Sequence, residues 1–392
     1  MSARALGWGI ASLLAASAVG CDDGAPNDAG GGGDAGPMVD AGGGGTDAGR
    51  DAGTVGCGGH NCQLDEACVR DVCVATCGED TSGWDAALAA RFTPVHAFCE
   101  ASGTIDVAHD ATDTTVFQIE TTMIATGTTF TLSSWPLDLA SAPSPTMFAS
   151  FDVAHDDMTF LFVGELVRPS PDGMSVLVGY TLGDTSSTGE LFNVVRADGT
   201  HMAFPANGNY DAVWVDNGTV LVNGLGLGAM NNGQGLYASK ITAATLDETQ
   251  VATGLGDASG SVLLTGDYLL AGGYSFADSA SHVYAIGRQA VDGVLDGSRS
   301  AIDFAAEGVE VCPTCGLSSS FRRIDDHLVM NRYDASFMQD GILAYPITGF
   351  DATTGLALGD EEEWVTDGTF TSAFETHDGV LLRFAGGLLL VR

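Results

Sequence analysis

The sequence predicts an all-β protein whose large C-terminal part is a β-propeller of six or seven blades, preceded by a small disulfide-rich module and a disordered tether. Two observations predict the propeller. From about residue 90 onward, short apolar runs of strand length alternate with Gly, Asp and Asn, and a two-strand unit recurs along this region. A third observation, the crowding of cysteines just before it, predicts the module.

The first twenty residues have the composition of an export signal. One charge, Arg4, precedes an apolar run from Ala5 to Val19. A helix of that length spans about 22 Å, less than the bilayer core of about 30 Å, so residues 1–20 are predicted to be a cleaved signal peptide. Residues 18–21, Ala-Val-Gly-Cys, resemble the lipobox of bacterial lipoproteins, although Leu is usual where this sequence has Ala18. The resemblance implies that Cys21 carries diacylglycerol and palmitate; the alternative is an ordinary signal peptide followed by a chance cysteine.

Residues 21–56 are predicted to be a disordered tether. They consist almost entirely of Asp, Gly and Ala, and the triplet Asp-Ala-Gly begins at Asp28, Asp34, Asp40, Asp47 and Asp51. Such a segment has no apolar surface to bury and cannot offset its chain entropy. With a lipid on Cys21 it would hold a folded domain clear of a membrane. The predicted location is therefore the cell envelope, with the outer membrane or cell surface favoured over the inner membrane.

The charge balance restricts the candidate partners. The formal net charge is −37, from 51 acidic against 14 basic residues, and Lys240 is the single lysine. A surface of this sign repels nucleic acid and anionic head groups, so we expect no nucleic-acid partner. Divalent cations and basic surfaces are more compatible with it, and solubility or adaptation to salt is an alternative explanation.

Five cysteines lie in the module, which is predicted at residues 57–79, and Cys99 completes a set of six. The six are Cys57, Cys62, Cys68, Cys73, Cys77 and Cys99. Their spacing resembles that of EGF-like or dickkopf-like modules, and a segment this short needs cross-links because it cannot bury a core. Fifteen pairings are possible, of which we favour 57–68, 62–73 and 77–99. A zinc site using His60 is the alternative, although the spacing is irregular for zinc.

The remaining two cysteines, Cys312 and Cys315, have the C-x-x-C spacing of thioredoxin-type redox sites. Such sites lie at the start of a helix, which lowers the thiol pKa. In this sequence Gly316-Leu-Ser-Ser-Ser-Phe follows, which is typical of a loop that enters a strand. We therefore predict a structural disulfide that staples a loop.

An internal repeat carries the propeller prediction, which covers residues 80–392. Its unit is a buried strand, a connection rich in Gly or Asn, and a second strand with an aromatic residue. The marker residues Gly179, Asn223, Gly272 and Asn331 fall 44, 49 and 59 residues apart. Periods of about 40–50 residues are typical of propeller blades, whose apolar faces only neighbouring blades can cover. The last strands, near 380–391, are expected to pair with a strand near 92–98 and close the ring.

Two short motifs add a resemblance to known propeller families. Residues 270–274, Leu-Ala-Gly-Gly-Tyr, resemble the double-glycine motif of kelch repeats, and Ser170-Pro-Asp-Gly173 resembles the turn of TolB-type repeats. Each occurs once. A pair of β-sandwiches or a β-helix is the alternative fold.

One repeated motif suggests a metal site. Asp-Val-Ala-His-Asp at 106–110 recurs at 152–156, so His109, Asp110, His155 and Asp156 would face one funnel if the copies occupy equal places in adjacent blades. Imidazole and carboxylate groups suit a divalent metal such as zinc, and the Asp-rich connections around these residues suit calcium. The alternative is that each His-Asp pair forms a turn in which Asp bonds its own backbone. No organic cofactor is predicted.

The sequence favours a non-enzymatic role. It contains no phosphate-binding loop, no H-E-x-x-H motif and no G-x-S-x-G elbow. We expect a lipid-anchored protein that binds or scaffolds an unknown protein or glycan partner through long connections at 181–190, 224–235 and 274–281. The alternative function is a metal-dependent propeller hydrolase or lactonase with its site in the central funnel.

Overall fold

The computed structural model describes residues 56–392, apart from 58, 64, 100, 102, 111, 141–142, 155–159, 184–187, 207–210, 225–234, 242–245, 312–320 and 335–337. The predicted signal peptide, Cys21 and nearly all of the predicted tether lie outside the described residues. So do Cys312, Cys315, His155 and Asp156.

The predicted all-β propeller is confirmed, and it has six blades. Each blade is an antiparallel sheet whose first strand lies at the channel and whose last lies at the rim. Blade 1 consists of Thr104–His109, Thr114–Ile124, Gly127–Pro136 and Thr146–Ala154. Blade 2 consists of Phe160–Pro169, Ser175–Gly183, Thr188–Arg196 and His201–Ala206. Blade 3 consists of Asp211–Asp216, Thr219–Gly224, Gly235–Ile241 and Leu246–Thr253, with Ile302–Asp303 added in parallel at its outer edge.

The other three blades depart from this plan at their outer edges. Blade 4 consists of Ala258–Leu264, Tyr268–Ser275, Ala280–Gly287 and the short Val309–Glu310. Blade 5 consists of Arg322–Ile324, His327–Tyr333 and the long Gln339–Asp351, along which Glu362–Val365 and Gly355–Leu358 pair with successive halves. Blade 6 consists of Ser372–Thr376, Gly379–Phe384, Gly387–Val391 and Pro94–Phe98.

Blade 6 closes the ring with strands from both ends of the propeller sequence. Its outermost strand, Pro94–Phe98, precedes blade 1 in the chain and pairs antiparallel with Gly387–Val391, so that Leu388 is opposite Phe98 and Leu390 opposite His96. This confirms the predicted closure. The pairing covers the edge that the C-terminal strand would otherwise expose.

The hydrophobic core is divided among the interfaces between neighbouring blades. Successive residues of a strand point to opposite faces of its sheet, so a blade buried on both sides needs consecutive apolar residues. Val176 and Val178 pack against blade 1, whereas Leu177 between them packs against blade 3. In the same way Leu388 contacts blade 1 and Leu389 contacts blade 5. This arrangement explains the continuous apolar runs of the sequence.

The sequence repeat corresponds to the second and third strands of blades 2 to 5, since Gly179, Asn223, Gly272 and Asn331 all lie in second strands. The long interval of 59 residues before Asn331 has a structural cause. Residues 288–308 are inserted between the third and fourth strands of blade 4, and they include the helices Arg288–Leu295 and Phe304–Glu307.

The cysteine-rich segment is held by disulfides between Cys57 and Cys68, Cys62 and Cys73, and Cys77 and Cys99. This is the predicted pairing. The segment contains the short strands Gly56–Cys57 and His60–Asn61 and the hairpin of Glu66–Val69 with Val72–Ala75, followed by the helix Trp84–Ala87. Trp84 packs against Phe370 and Phe384, with ring centroids 5.5 and 4.8 Å apart. The segment therefore shares its core with blades 5 and 6.

Arg70 fastens the hairpin to the chain that follows it. Arg70 and Asp71 form the two-residue turn with φ of 49° and 64°, a left-handed conformation that matches the twist of a tight hairpin. The guanidinium of Arg70 donates to the backbone carbonyls of Leu88, Ala89 and Phe92, and its backbone N–H donates to Asp85 Oδ1 at 2.7 Å. These bonds give three carbonyl groups of the following segment a charged donor.

Candidate functional site in the central channel

The inner strands of all six blades line a central cavity with a volume of about 170 Å³. Its polar lining comes mainly from Asp106, His109, Arg168, Arg322 and Glu375. Apolar side chains complete the wall, among them Val213 of blade 3, Val262 and Leu263 of blade 4, and Phe321 and Phe374 near the inner strands of blades 5 and 6. Polar side chains from four blades therefore converge on the central channel, and of the four predicted metal ligands His109 is among them.

A salt-bridge network crosses this channel. Arg168 of blade 2 donates from Nη1 to Asp106 Oδ2 of blade 1 at 2.7 Å and from Nη2 to Asp211 Oδ1 of blade 3 at 2.9 Å. Both aspartates are buried, with side chains 9% and 7% exposed. One guanidinium thus joins three neighbouring inner strands.

The same network reaches the other three blades. Asp211 Oδ2 accepts the backbone N–H of Val262 in blade 4 at 3.1 Å, and Asp106 Oδ1 accepts Arg322 Nη1 of blade 5 at 3.0 Å. The guanidinium of Arg322 lies 4.7 Å from the ring centroid of Phe374 in blade 6, within cation–π range. Every inner strand therefore contributes a contact to one connected cluster.

The two arginines of the cluster have opposite pKa shifts. Burial disfavours the charge of Arg168, but the carboxylates of Asp211 and Asp106 more than compensate and raise its pKa above the ordinary value. For Arg322 the burial effect prevails and lowers the pKa, because Asp106 is its only direct carboxylate partner among the described residues and the charge of Arg168 lies nearby. Arg168 is thus the better neutralised of the two.

The predicted site residues His109 and Asp110 lie at the end of the inner strand of blade 1. His109 is the last residue of that strand, and its Nε2 lies 3.7 Å from Glu375 Oε2 of blade 6. Asp110 Oδ1 accepts the backbone N–H groups of Thr112 at 2.7 Å and Asp113 at 2.9 Å, which lowers the pKa of Asp110. Asp110 therefore forms the turn that was the alternative to metal binding.

The premise that paired the two His-Asp motifs is wrong. Residues 106–109 belong to the innermost strand of blade 1, whereas 152–154 belong to the outermost strand of the same blade. The two copies are thus not equivalent positions in adjacent blades. His155 and Asp156 lie outside the described residues, so the four-residue metal site itself stays a prediction.

A second group of possible ligands lies in the cysteine-rich segment. Among the described residues, the three potential metal ligands whose ligand atoms lie within 4.8 Å of one another are Cys57, Cys62 and Cys73. All three sulfurs are engaged in disulfides, which accounts for their proximity. The side chain of His60 lies outside the described set.

Three residues of the channel network, Arg168, Asp211 and Arg322, were not predicted from the sequence. Each interrupts or borders an apolar strand run, as in Leu166-Val-Arg-Pro and Asp211-Ala-Val-Trp. A single charge in a short buried strand is a signal that could have been used, because such a charge requires a partner. The partners, however, lie far apart in the chain.

Of the eight large apolar side chains that are exposed among the described residues, five lie on one face of the propeller. Strands alternate in direction, so all connections between second and third strands lie on the same face. Met123 and Ile124 of blade 1, Phe276 of blade 4, and Tyr333 and Met338 of blade 5 lie at these connections. Their exposed fractions are 71%, 39%, 55%, 48% and 51%. The predicted partner-binding connections 181–190, 224–235 and 274–281 fall between the second and third strands of blades 2, 3 and 4. Residues 184–187 and 225–234 lie outside the described residues, whereas Phe276 in the third connection belongs to this face.

Carboxylates accompany the apolar side chains on this face, which we call the hairpin face. Asp257, Asp278 and Asp334 are all exposed there. Asp257 Oδ2 accepts the backbone N–H of Phe276 at 2.7 Å, and Asp334 Oδ1 accepts that of Met338 at 3.0 Å. The surface is thus apolar with an acidic border.

No helix in the described part of the chain is long and apolar enough to cross a membrane.

Comparison with known proteins finds similarity in fold alone. No protein-family model and no curated protein matches the chain. A solved structure of a putative 6-phosphogluconolactonase from Bacteroides fragilis is 15% identical over 71% of this chain and 85% of that one, with a TM-score of 0.36. A prolyl endopeptidase structure is 15% identical over 71% of this chain and 38% of that one, with a TM-score of 0.37. A mutant of Synechocystis apocarotenoid oxygenase is 12% identical over 72% and 64%, with a TM-score of 0.35.

Proposed function

We propose that the protein is a lipid-anchored binding module of the bacterial cell envelope, whose propeller presents its hairpin face to a protein partner. The observation that carries the proposal is the set of large apolar side chains exposed at the connections of blades 1, 4 and 5. Exposed apolar surface with a polar border is typical of protein interaction sites.

Charge indicates the kind of partner. The exposed carboxylates of the hairpin face add to a formal net charge of −37. A partner whose apolar contact surface has a basic border would be attracted at long range and would match this face on contact. We therefore propose a protein partner with basic side chains rather than a glycan.

The channel network supports a binding role over a catalytic one. Asp106, Arg168 and Asp211 bond to each other across three blades at 2.7–2.9 Å. Groups used in this way hold the inner strands together, and a reaction would require breaking their ion pairs. A metal-dependent hydrolase remains the alternative, and the four-residue site at His109, Asp110, His155 and Asp156 would be its starting point.

Site-specific photo-crosslinking in intact cells tests the hairpin face. A photoreactive amino acid would replace Phe276 or Tyr333, and as matched controls Met174 or Met147. The controls are 57% and 68% exposed and lie towards the opposite face, since Met174 precedes the second strand of blade 2 and Met147 is near the start of an outermost strand. We expect a protein adduct of one mass from positions 276 and 333 and none from 174 and 147.

Two outcomes would count against this part of the proposal. Adducts of equal yield from both faces would show that exposure alone accounts for them. If the hairpin face gave no protein adducts and the Phe276→Ser chain lost binding to a glycan, the ligand would be a sugar rather than a protein.

The lipid anchor is tested separately at Cys21. In cells fed labelled palmitate we expect label in the wild-type chain and partition of that chain into the detergent phase. Cys21→Ala should lose both, because the thiol that receives the diacylglycerol is missing. Ala18→Leu restores the usual lipobox residue and should retain both. Membrane association of the Cys21→Ala chain equal to that of wild type would contradict the anchor.

A further inference from the structure

Hydrogen-bond donors and acceptors are unequally used in the channel cluster. Asp106 Oδ1 accepts from Val107 N and Arg322 Nη1, both at 3.0 Å, and its Oδ2 accepts from Arg168. Asp211 Oδ1 accepts from Ala212 N and Arg168, and its Oδ2 accepts from Val262 N. Every carboxylate oxygen of the cluster thus has at least one donor.

The guanidinium of Arg322, in contrast, has nitrogen atoms without a hydrogen-bond partner among the described residues. Its Nη1 donates to Asp106, whereas its Nε and Nη2 make no hydrogen bond to any residue that the structure describes. The side chain is 37% exposed and lines the central cavity. Nε and Nη2 form the fork that binds a carboxylate through two parallel hydrogen bonds. Among the described residues, Arg322 therefore has two nitrogen donors without an acceptor, whereas each carboxylate oxygen of the cluster already has a donor.

The walls beside Arg322 are apolar. Phe374 packs against its guanidinium, and Phe321, Val213 and Leu263 line the same cavity. A volume of about 170 Å³ corresponds to about five or six water molecules at roughly 30 Å³ each, which is enough for a small organic acid. An apolar wall with a few fixed polar groups, here Arg322 together with Asp106, Arg168, His109 and Glu375, is the usual composition of a small-molecule site.

We propose that the central channel binds a small aliphatic monocarboxylate, with the Nε–Nη2 edge of Arg322 holding the carboxylate and the apolar wall holding the short hydrocarbon chain. This goes beyond the proposed function, because the site lies in the channel and depends neither on the lipid anchor nor on the hairpin face.

Electrostatics within the channel favour such a ligand. Burial lowers the pKa of Arg322, and Asp106, its direct partner, is shared with Arg168. A bound anion would give Arg322 a second carboxylate partner, beside the Asp106 that it shares with Arg168. The acidic surface opposes anion approach at long range, but at about 0.15 M salt this repulsion is screened beyond about 8 Å.

Calorimetric titration of the full chain with sodium butyrate, at neutral pH and about 0.15 M sodium chloride, tests the proposal. We expect a dissociation constant on the order of 1 mM, as befits a ligand of few atoms. Arg322→Lys keeps the positive charge but loses the fork, so binding should weaken about tenfold or more. Arg322→Gln should abolish it. Arg299→Gln removes the same charge from a surface pair with Glu307 and should bind as wild type does.

A second measurement needs no variant and so does not depend on the folding of one. In about 10 mM butyrate the melting midpoint of the wild-type chain should exceed that in the same concentration of added sodium chloride, because a ligand of the folded state stabilises it by mass action. Equal midpoints together with no heat of binding would overturn the proposal. Binding that survives unchanged in Arg322→Gln would overturn it as well, since the anchor would then be elsewhere.

Discussion

The imidazole of His282 lies between two carboxylates at the outer part of blade 4. Its Nδ1 is 2.7 Å from Glu310 Oε1 and its Nε2 is 3.0 Å from Asp278 Oδ2. Only the doubly protonated ring can donate to both. The hydrogen bond to Glu310, followed by that to Asp278, raises the pKa of His282 despite partial burial. Protonated His282 thus connects the third strand of blade 4 to the short outer strand Val309–Glu310.

This arrangement predicts a pH-dependent contribution to stability. The folded-state pKa lies above the unfolded value of about 6.5, so the contribution is fully present below about pH 6.5 and is lost as the pH rises through the folded pKa. His282→Gln should therefore lower the free energy of unfolding by about 0.5–1 kcal/mol at pH 6 and by much less at pH 9. Urea unfolding of both chains at the two pH values measures the difference.

The two carboxylates provide the controls for this prediction. Glu310→Gln should remove most of the pH-dependent difference, and Asp278→Asn a smaller part, in the order of their effects on the pKa of His282. A loss of stability in His282→Gln that is the same at pH 6 and pH 9 would mean that the ring contributes by packing on Tyr284 rather than by charge.

At the scale of strands, a strand can be predicted from the sequence most easily when both of its faces are buried. The second and third strands of blades 2 to 5 are buried between neighbouring blades, so they appear as continuous apolar runs such as Val176–Val178, and the repeat reveals them. The closing strand near Phe98 is predictable for the same reason. Outer strands such as Thr146–Ala154 alternate between buried and exposed residues and give no such signal.

The channel site is harder to predict, because the residues that form it lie far apart in the chain. Asp106 bonds to Arg168, 62 residues away, and to Arg322, 216 residues away, and Arg168 bonds to Asp211 at a separation of 43. These intervals follow no common period. The motif that contains Asp106 is visible in the sequence, but the prediction used its histidine as a metal ligand, whereas in the structure its first aspartate forms ion pairs. Which charged side chains meet in the channel depends on how the six blades close into a ring, and no local sequence pattern encodes this.

At the scale of the whole molecule, closure makes the stability of each blade depend on the N-terminal segment. Leu388, Leu389 and Leu390 are fully buried, and the strand Pro94–Phe98 covers the edge of their strand. Trp84 and Phe92 add to the core of blades 5 and 6, and the Cys77–Cys99 disulfide ties the segment to the end of the closing strand. Removal of this segment would leave an open, apolar sheet edge, which promotes aggregation.

A pair of truncations tests this dependence. A chain that begins at residue 56 keeps the disulfides, the closing strand and the channel cluster, and should melt cooperatively at the midpoint of the full chain. A chain that begins at residue 100 lacks the closing strand and the aromatic residues behind it. The opened blade 6 can no longer hold the inner strand that carries Phe374 against Arg322, and the loss propagates through Asp106 to the neighbouring blades. We therefore expect it to aggregate or to lose its cooperative transition, as seen by size-exclusion chromatography and circular dichroism. If the shorter chain were monomeric and melted at the same midpoint, the blades would be stable without the closing strand, and the N-terminal segment would not be what stabilises them.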